Sequence, residues 1–378
     1  MKKVLKRIVI IFLGLIVVFI LIIFVFTQTS PQFGGEDSAQ DLVSYKKSGH
    51  YKDGKFQNLI PTNPDDMTFA KMLSVSKDFI LGLPRTKPEF DLPLKKVDST
   101  YLEKSLHLDK LIWFGHSAFL LQLDGKNILL DPMLGESPSP HPLIGTKRFN
   151  KELPIEIQQL PKIDAILISH DHYDHLDYES IQLLKEKTAE FFVPLGVGKH
   201  LRSWGISSED IHELNWWEET EFQNIELAFT PSRHFSGRGL TDRSSSMWGS
   251  WVIKGKTKNI YFSGDSGYGT HFKEIGDKYG PFDFAMMECG QYNENWQNIH
   301  MVPEETVKAS FDLQTKVMMP IHWGSFALSL HTWDDPVIRV TKEAKALNLP
   351  ITVPIIGEII DLNKIDLSLR EWWKKEIH

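Results

Sequence analysis

Residues Ile8 to Phe26 read IVIIFLGLIVVFILIIFVF, an unbroken apolar run without a charge. At about 1.5 Å per residue it reaches roughly 28 Å, close to the ~30 Å hydrocarbon core of a bilayer. Lys2, Lys3, Lys6 and Arg7 precede it, and the first charges beyond it are Glu36 and Asp37. The positive-inside rule makes residues 1–7 a cytoplasmic basic tail and places everything after residue 26 outside the cell membrane. The rival reading is a cleaved signal peptide, whose apolar region is normally roughly 7–15 residues and ends in a small-x-small site. Thr27-Gln28-Thr29-Ser30 matches that poorly, so the run reads as an uncleaved, single-pass anchor.

Polar, Gly/Ser/Lys-rich sequence from Thr27 to Leu59 then predicts a tether. Asn63-Pro64-Asp65-Asp66 is a helix start, and Phe69, Met72, Leu73, Ser76, Ile80 and Leu83 continue at helical spacing until Pro84. This helix lies either on the main domain or on a membrane surface; the weak basic character favours the domain. Residues 27–100 thus form a tether and lead-in helix, and 101–378 the main domain. There the pattern turns to strands. Leu111–Phe114, Ala118–Leu123 and Asn127–Leu130 are apolar, with Asp124-Gly125 as a hairpin turn. Further strands are predicted at 165–169, 190–193, 225–230, 250–253, 259–262, 282–287 and 317–320. Helices are predicted at 178–187, 271–279, 303–312 and 335–347. Strand runs in both halves with helices between them imply two packed sheets covered by helices.

Composition narrows the chemistry. The 378 residues are 42% hydrophobic and 24% charged, which excludes wholesale disorder. One cysteine, Cys289, excludes a disulfide framework and a cysteine-cluster metal site, so any metal is held by His and carboxylates. A formal charge of −7 argues against a nucleic-acid partner. The densest chemical feature is Ser169-His170-Asp171-His172-Tyr173-Asp174-His175, directly after an apolar strand. Imidazoles at i and i+2 of an extended turn aim at one ion, and Asp174 and His175 face a neighbouring point. One loop therefore supplies two positions suited to Zn²⁺ or related divalent ions. His234, Asp265 and His322 each follow a predicted strand as well. Singly, each is ordinary: a hydrogen-bonded histidine or a turn aspartate. Their shared context, strand then turn then ligand, makes them candidates for one site.

The ordered phrases resemble the metallo-β-lactamase superfamily, over about Leu111 to at least Pro336. They are Trp113-Phe114-Gly115-His116, Asp131-Pro132, Gly145-Thr146-Lys147-Arg148-Phe149, the Ile168-to-Asp177 segment, Trp216-Trp217-Glu218-Glu219, Trp248-Gly249-Ser250-Trp251, Gly264-Asp265-Ser266-Gly267-Tyr268, Pro303-Glu304-Glu305 and the Ile321-to-Leu328 segment. Within it the chain looks most similar to the N-acyl-phosphatidylethanolamine-hydrolysing phospholipase D branch and its bacterial relatives. The resemblance implies an αββα sandwich carrying two Zn²⁺. It implies His170, His172 and His234 on the first zinc, Asp174, His175 and His322 on the second, and Asp265 with a hydroxide bridging both. Asp131 would orient a metal-bound histidine, and Asp174 would take the remaining proton of the hydroxide. The implied reaction cleaves a phosphodiester to an alcohol and a phosphomonoester.

Two further histidines have paired readings. His300 is either a hydrogen-bond donor to the substrate phosphoryl group or a helix-start residue ahead of Pro303. His116 either braces the core or supports a metal ligand from behind. The chain departs from the branch at Ile299, where known members carry Gln, and in Cys289-to-Trp296, which is expected to line the substrate side. At the C-terminus, Trp372 and Trp373 belong either to an end helix docked on the domain or to a membrane interface; docking is favoured. Cys289 reads as a small buried residue. The leading function is a membrane-anchored zinc phosphodiesterase acting on phospholipid. The alternatives are a zinc hydrolase of a lactone or amide and a non-catalytic membrane-anchored binding protein.

Overall fold

The computed structural model describes residues 2–62, 69–141, 143 and 145–374. Ahead of the main domain lie α1 (Lys2–Thr29), α2 (Ala39–Lys47), a hairpin of β1 (Tyr51–Lys52) and β2 (Lys55–Phe56), α3 (Phe69–Leu81) and α4 (Ser99–Lys104). The first large sheet takes β3 (Lys110–Trp113), β4 (Phe119–Leu123), β5 (Lys126–Leu130), β6 (Ile163–Leu167), β7 (Thr188–Pro194) and β8 (Ile211–Leu214), with α5 (Tyr178–Leu184) and α6 (Gly198–Ser203) between its later strands. The second takes β9 (Glu218–Phe222), β10 (Ile225–Thr230), β11 (Ser250–Lys254), β12 (Asn259–Phe262), β13 (Phe284–Glu288) and β14 (Met318–Ile321), with α7 (His271–Tyr279), α8 (Pro303–Asp312) and α9 (Asp335–Ala346). β15 (Ile359–Asp361) returns to pair with β3. The orders are β15-β3-β4-β5-β6-β7-β8 and β14-β13-β12-β11-β10-β9.

Alternation along the strands builds the layers. Leu111, Trp113, Phe119, Leu121, Ile128 and Leu130 pack into the core shared with the second sheet. Their neighbours Ile112, Phe114, Leu120 and Leu129 face the other way, onto Ile181 and Leu184 of α5 and Leu201 of α6. Val307 of α8 and Val337 of α9 close the far side of the shared core. The chain is an αββα sandwich, the layering the resemblance implied. Asp124 and Gly125 both take positive φ, 50° and 76°, the twist a two-residue hairpin needs.

The lead-in departs from the expected tether. Tyr45 on α2 and Phe56 on β2 are buried in the main core, so much of 27–59 is folded onto the domain. Helix α3 forms where the spacing predicted it and ends at Gly82, whose N–H bonds Asp78 O at 2.9 Å with φ 72°. The helix start at Asn63-Pro64-Asp65-Asp66 lies outside the described residues. Leu73, Phe79 and Leu81 of α3 are exposed, while the side chains of Phe69, Met72 and Ile80 on its predicted apolar face lie outside the described ones. Trp373 is buried and Trp372 stacks on Trp323 at 5.4 Å, so the C-terminal aromatics dock, though from turns and not from a helix among the described residues.

Candidate metal centre

Register gathers the candidates. In the second sheet Thr230 pairs with Ser250, Trp251 with Phe262, Phe262 with Met286 and Glu288 with Ile321. The loops that carry His234, Asp265, His300 and His322 therefore leave one edge. In the first sheet Leu130 pairs with Leu167, which puts Asp131 beside the His170-to-His175 loop. Three bonds lock the sheets together there: Gly249 N to Ser169 O (3.0 Å), Trp251 Nε1 to Ile168 O (2.9 Å) and His322 N to His116 O (3.0 Å).

His170, His172 and His234 converge, with His172 Nδ1 2.9 Å from His170 Nε2 and 3.2 Å from His234 Nε2. Asp174, His175 and His322 converge beside them, joined by His116. Asp265 lies between the two groups. Its Oδ2 is 3.8 Å from His170 Nε2 and 3.7 Å from His234 Nε2, while its Oδ1 is 3.2 Å from His175 Nε2 and 3.1 Å from His322 Nδ1. Burial holds His170, His234 and His322 well below the usual imidazole range, so their rings are neutral and offer lone pairs. Burial also pushes the Asp265 carboxyl up to about 6. Asp265 Oδ1 and His175 Nε2 are buried without a hydrogen-bond partner. Asp265, Asp174 and Asp131 push the His175 imidazole well above its usual range, so this spot favours positive charge, and a bound cation in place of the ring's proton fits it.

The surrounding bonds fix the rings. Asp131 accepts from Ser169 N at 2.7 Å and Ser169 Oγ at 2.5 Å, and meets His175 Nδ1 at 2.6 Å. It thereby turns His175 Nε2 toward Asp265. His234 Nδ1 lies 2.9 Å from Ile299 O, and Ser117 Oγ lies 3.2 Å from His322 Nδ1. His116 is fully buried and meets Asp174 Oδ2 at 2.8 Å. His116, Asp131 and His322 all take positive φ (54°, 37° and 68°), a backbone state that costs free energy and concentrates at functional sites.

A cavity of ≈ 530 Å³ opens onto this cluster, lined by His172, Asp174, His234, Asp265, His300 and His322. Gln291, Glu294, Asn295 and Trp296 form part of its wall, so the segment expected on the substrate side is there. His300 reaches the cavity and is 5.0 Å from the His234 ring and 5.3 Å from the His322 ring, centre to centre.

Three contributors escaped the sequence reading. Glu288 is fully buried, meets His300 Nδ1 at 2.7 Å and accepts from Met301 N at 3.1 Å. Its one sequence signal is a charge closing an apolar strand. Asp171 accepts from Gly237 N (2.7 Å) and Ser246 Oγ (2.5 Å), pinning the centre of the histidine loop. Asn58 clamps the backbone of His234, donating to its O at 2.8 Å and accepting from its N at 3.2 Å.

Gly264 takes φ 55°, and a Cβ there would lie 2.6 Å from both Gly249 O and Ser169 Cβ. Gly264→Ala is therefore expected to displace Asp265 and Ser169 together. Metal analysis of the purified variant should show bound divalent ion falling below half the parent's content. An unchanged content would mean that the turn absorbs the methyl group.

The comparisons agree with this geometry. A family model described as "Beta-lactamase superfamily domain" matches residues 126–323. An uncharacterized protein of Mycobacterium tuberculosis is 36% identical over 349 residues, covering 91% of this chain and 92% of that protein. N-acyl-phosphatidylethanolamine-hydrolyzing phospholipase D 1 of Caenorhabditis elegans is 33% identical over 263 residues, covering 65% and 73%. The structure of an isothiocyanate hydrolase from Delia radicum gut bacteria superposes with a TM-score of 0.53 at 21% identity, over 66% of this chain and 98% of that one.

Proposed function

The chain belongs to the metallo-β-lactamase superfamily, and because its His/Asp cluster could hold divalent metal, we propose that it is a dinuclear zinc phosphodiesterase of phospholipase D type. Its substrate would be an N-acyl-phosphatidylethanolamine-like lipid, and its products an N-acylethanolamine and a phosphatidic acid. The anchor would hold the hydrolase domain at the outer face of the cell membrane, with residues 1–7 in the cytoplasm.

The observation that carries this reading is the division of labour at Asp265, one oxygen toward each histidine group. His170, His172 and His234 would hold one zinc, Asp174, His175 and His322 the other, and Asp265 both. When bound, the pair supplies an activated water near neutral pH and takes up negative charge on the phosphoryl oxygen. The chain's own groups do the rest. Asp174, on the cavity wall, accepts the proton of the attacking water. Glu288 occupies His300 Nδ1, which leaves Nε2 for a substrate oxygen. Ile299 lends the cavity an apolar side chain where the known branch has an amide, and its carbonyl is spent on His234.

The test uses the full chain in lipid nanodiscs. Zinc content, turnover of N-acyl-phosphatidylethanolamine and turnover of a bis-aryl phosphodiester are measured together. About two zinc ions per chain with cleavage of both substrates is the expected result. Two zinc ions without cleavage of either would move lactones and amides to the front.

Asn58→Ala adds a local check. Losing both bonds to the His234 backbone should weaken zinc by roughly 10–100-fold in chelator competition, as is usual when a ligand's support is removed. Tyr45 and Phe56 still hold the strap, so the melting temperature should move little.

A further inference from the structure

Helix α1 carries no buried residue, and its C-terminal end meets the domain through Phe26. The Phe26 ring lies 5.5 Å from Phe33 and 5.9 Å from His141. Just beyond the helix, Trp204 Nε1 donates to Pro31 O at 2.7 Å, Arg238 Nε donates to Gln32 O at 2.7 Å, and Gly35 N bonds His200 Nδ1 at 3.2 Å. Five residues of chain are thus held by two parts of the domain, α6 with its C-terminal Trp204 and the loop that carries Arg238. A membrane span fastened this way fixes the domain's height and tilt above the bilayer.

Two of the loops that reach this junction present bare leucines. Leu143 is 85% exposed, and its N–H bonds the ring of His141, which touches Phe26. Leu240 is 83% exposed, two residues beyond Arg238, at the tip of a turn that Asp242 closes by accepting from Arg238 N and Gly239 N. An isolated exposed leucine is ordinary. Two of them, on loops that reach the end of a membrane-length helix, are placed where an interface begins. The same loop leads to the metal cavity, because Phe235 at its start and Arg243 near its end both line it. Helix α3 lends Lys71 to that lining and leaves Leu73, Phe79 and Leu81 exposed.

We propose that Leu143, Leu240 and α3 rest in the headgroup region of the same bilayer that holds α1, so that the cavity mouth bears on the membrane surface and receives its lipid laterally from that leaflet. The proposal rests on reading residues 8–26 as a membrane span. It explains why a segment that composition marks as a tether is folded down instead: a loose tether would let the mouth face any direction. The exposed Leu73, Phe79 and Leu81 of α3 then have an apolar partner.

Spin labels test this on the full chain in phosphatidylcholine nanodiscs. Leu143→Cys and Leu240→Cys are labelled one at a time; the native Cys289 is buried and stays silent. Lys256→Cys, exposed in the turn between β11 and β12 at the sheet end away from the site, is the aqueous control. The labels at 143 and 240 should collide more with dissolved oxygen than with a water-soluble nickel chelate, and the label at 256 the reverse. Equal access of the chelate to all three would overturn the proposal. Alkaline carbonate extraction of native membranes reads the span separately. A chain that resists extraction while its labels stay aqueous sinks the docking surface alone, and a chain that is extracted sinks both. Turnover gives a second readout: Leu240→Asp should lower cleavage of bilayer lipid at least tenfold and leave a soluble bis-aryl phosphodiester within twofold of the parent. Parallel loss on both substrates would contradict lateral delivery.

Discussion

Asp265→Ala is expected to lower phosphodiester turnover by at least about a thousandfold, roughly 4 kcal/mol of transition-state stabilisation at about 1.36 kcal/mol per decade. The size follows from geometry. Oδ1 faces His175 and His322 and Oδ2 faces His170 and His234, so one truncation removes a ligand from both positions. Removing one preorganised electrostatic partner commonly costs roughly 10²–10³ in rate, and here two are lost together. Zinc content should fall with activity. Stability should do the opposite. In the metal-free protein the Asp265 carboxyl is buried and raised to about 6 by that burial, even with His175 and His322 at 3.2 and 3.1 Å from Oδ1. Such a group opposes folding. The metal-free variant should therefore melt no lower than the metal-free parent. If Asp265 were a structural residue, alanine would instead destabilise the metal-free protein and leave zinc binding largely intact.

The contrast between His172 and Asn58 shows what a sequence exposes and what it hides. The histidine loop is local: six residues after one apolar strand carry four of the seven proposed ligands, and their spacing states their purpose. His234, Asp265 and His322 are legible only through their shared position after strands. The strands themselves were readable where both faces are buried, as in Phe119–Leu123 and Asn259–Phe262, since every residue there is apolar or nearly so. β8 and β9 were missed for the complementary reason. Ile211–Leu214 and Glu218–Phe222 are edge strands, and β9 carries three glutamates. β15 is three residues long and pairs with β3, some 250 positions earlier. Helix α3 was legible as a helix from its spacing, which reports an apolar face and not what covers it. Glu288 and Asn58 act on His300 and His234 across the fold, and no local pattern encodes a contact of that kind.

Arg238 is the largest of these hidden contributors, and its loss should be the most destabilising single change outside the apolar core. Its guanidinium is buried, with Nη1 donating to Asp171 O at 2.6 Å and Leu176 O at 2.7 Å, and Nε to Gln32 O at 2.7 Å. It lies over the Tyr173 ring at 4.1 Å and the Trp204 ring at 5.3 Å. One side chain thus ties both ends of the histidine loop to the residues that follow α1. Arg238→Met keeps the length and leaves three carbonyls short of a donor, at roughly 1–3 kcal/mol each. A loss of about 3–5 kcal/mol is expected. At about 2–4 °C per kcal/mol that is roughly 6–20 °C in melting temperature. Arg238→Lys should recover little, because an ammonium cannot span the divergent directions of a planar fork. Zinc affinity should drop in both variants, since the loop that carries His170, His172, Asp174 and His175 loses its underside. Turnover of a soluble phosphodiester at saturating zinc should then return toward the parent value, while turnover of bilayer lipid should not, because the junction at Gln32 remains loose. Recovery on both substrates would mean that Arg238 serves the metal loop alone and that the mounting of the anchor does not depend on it.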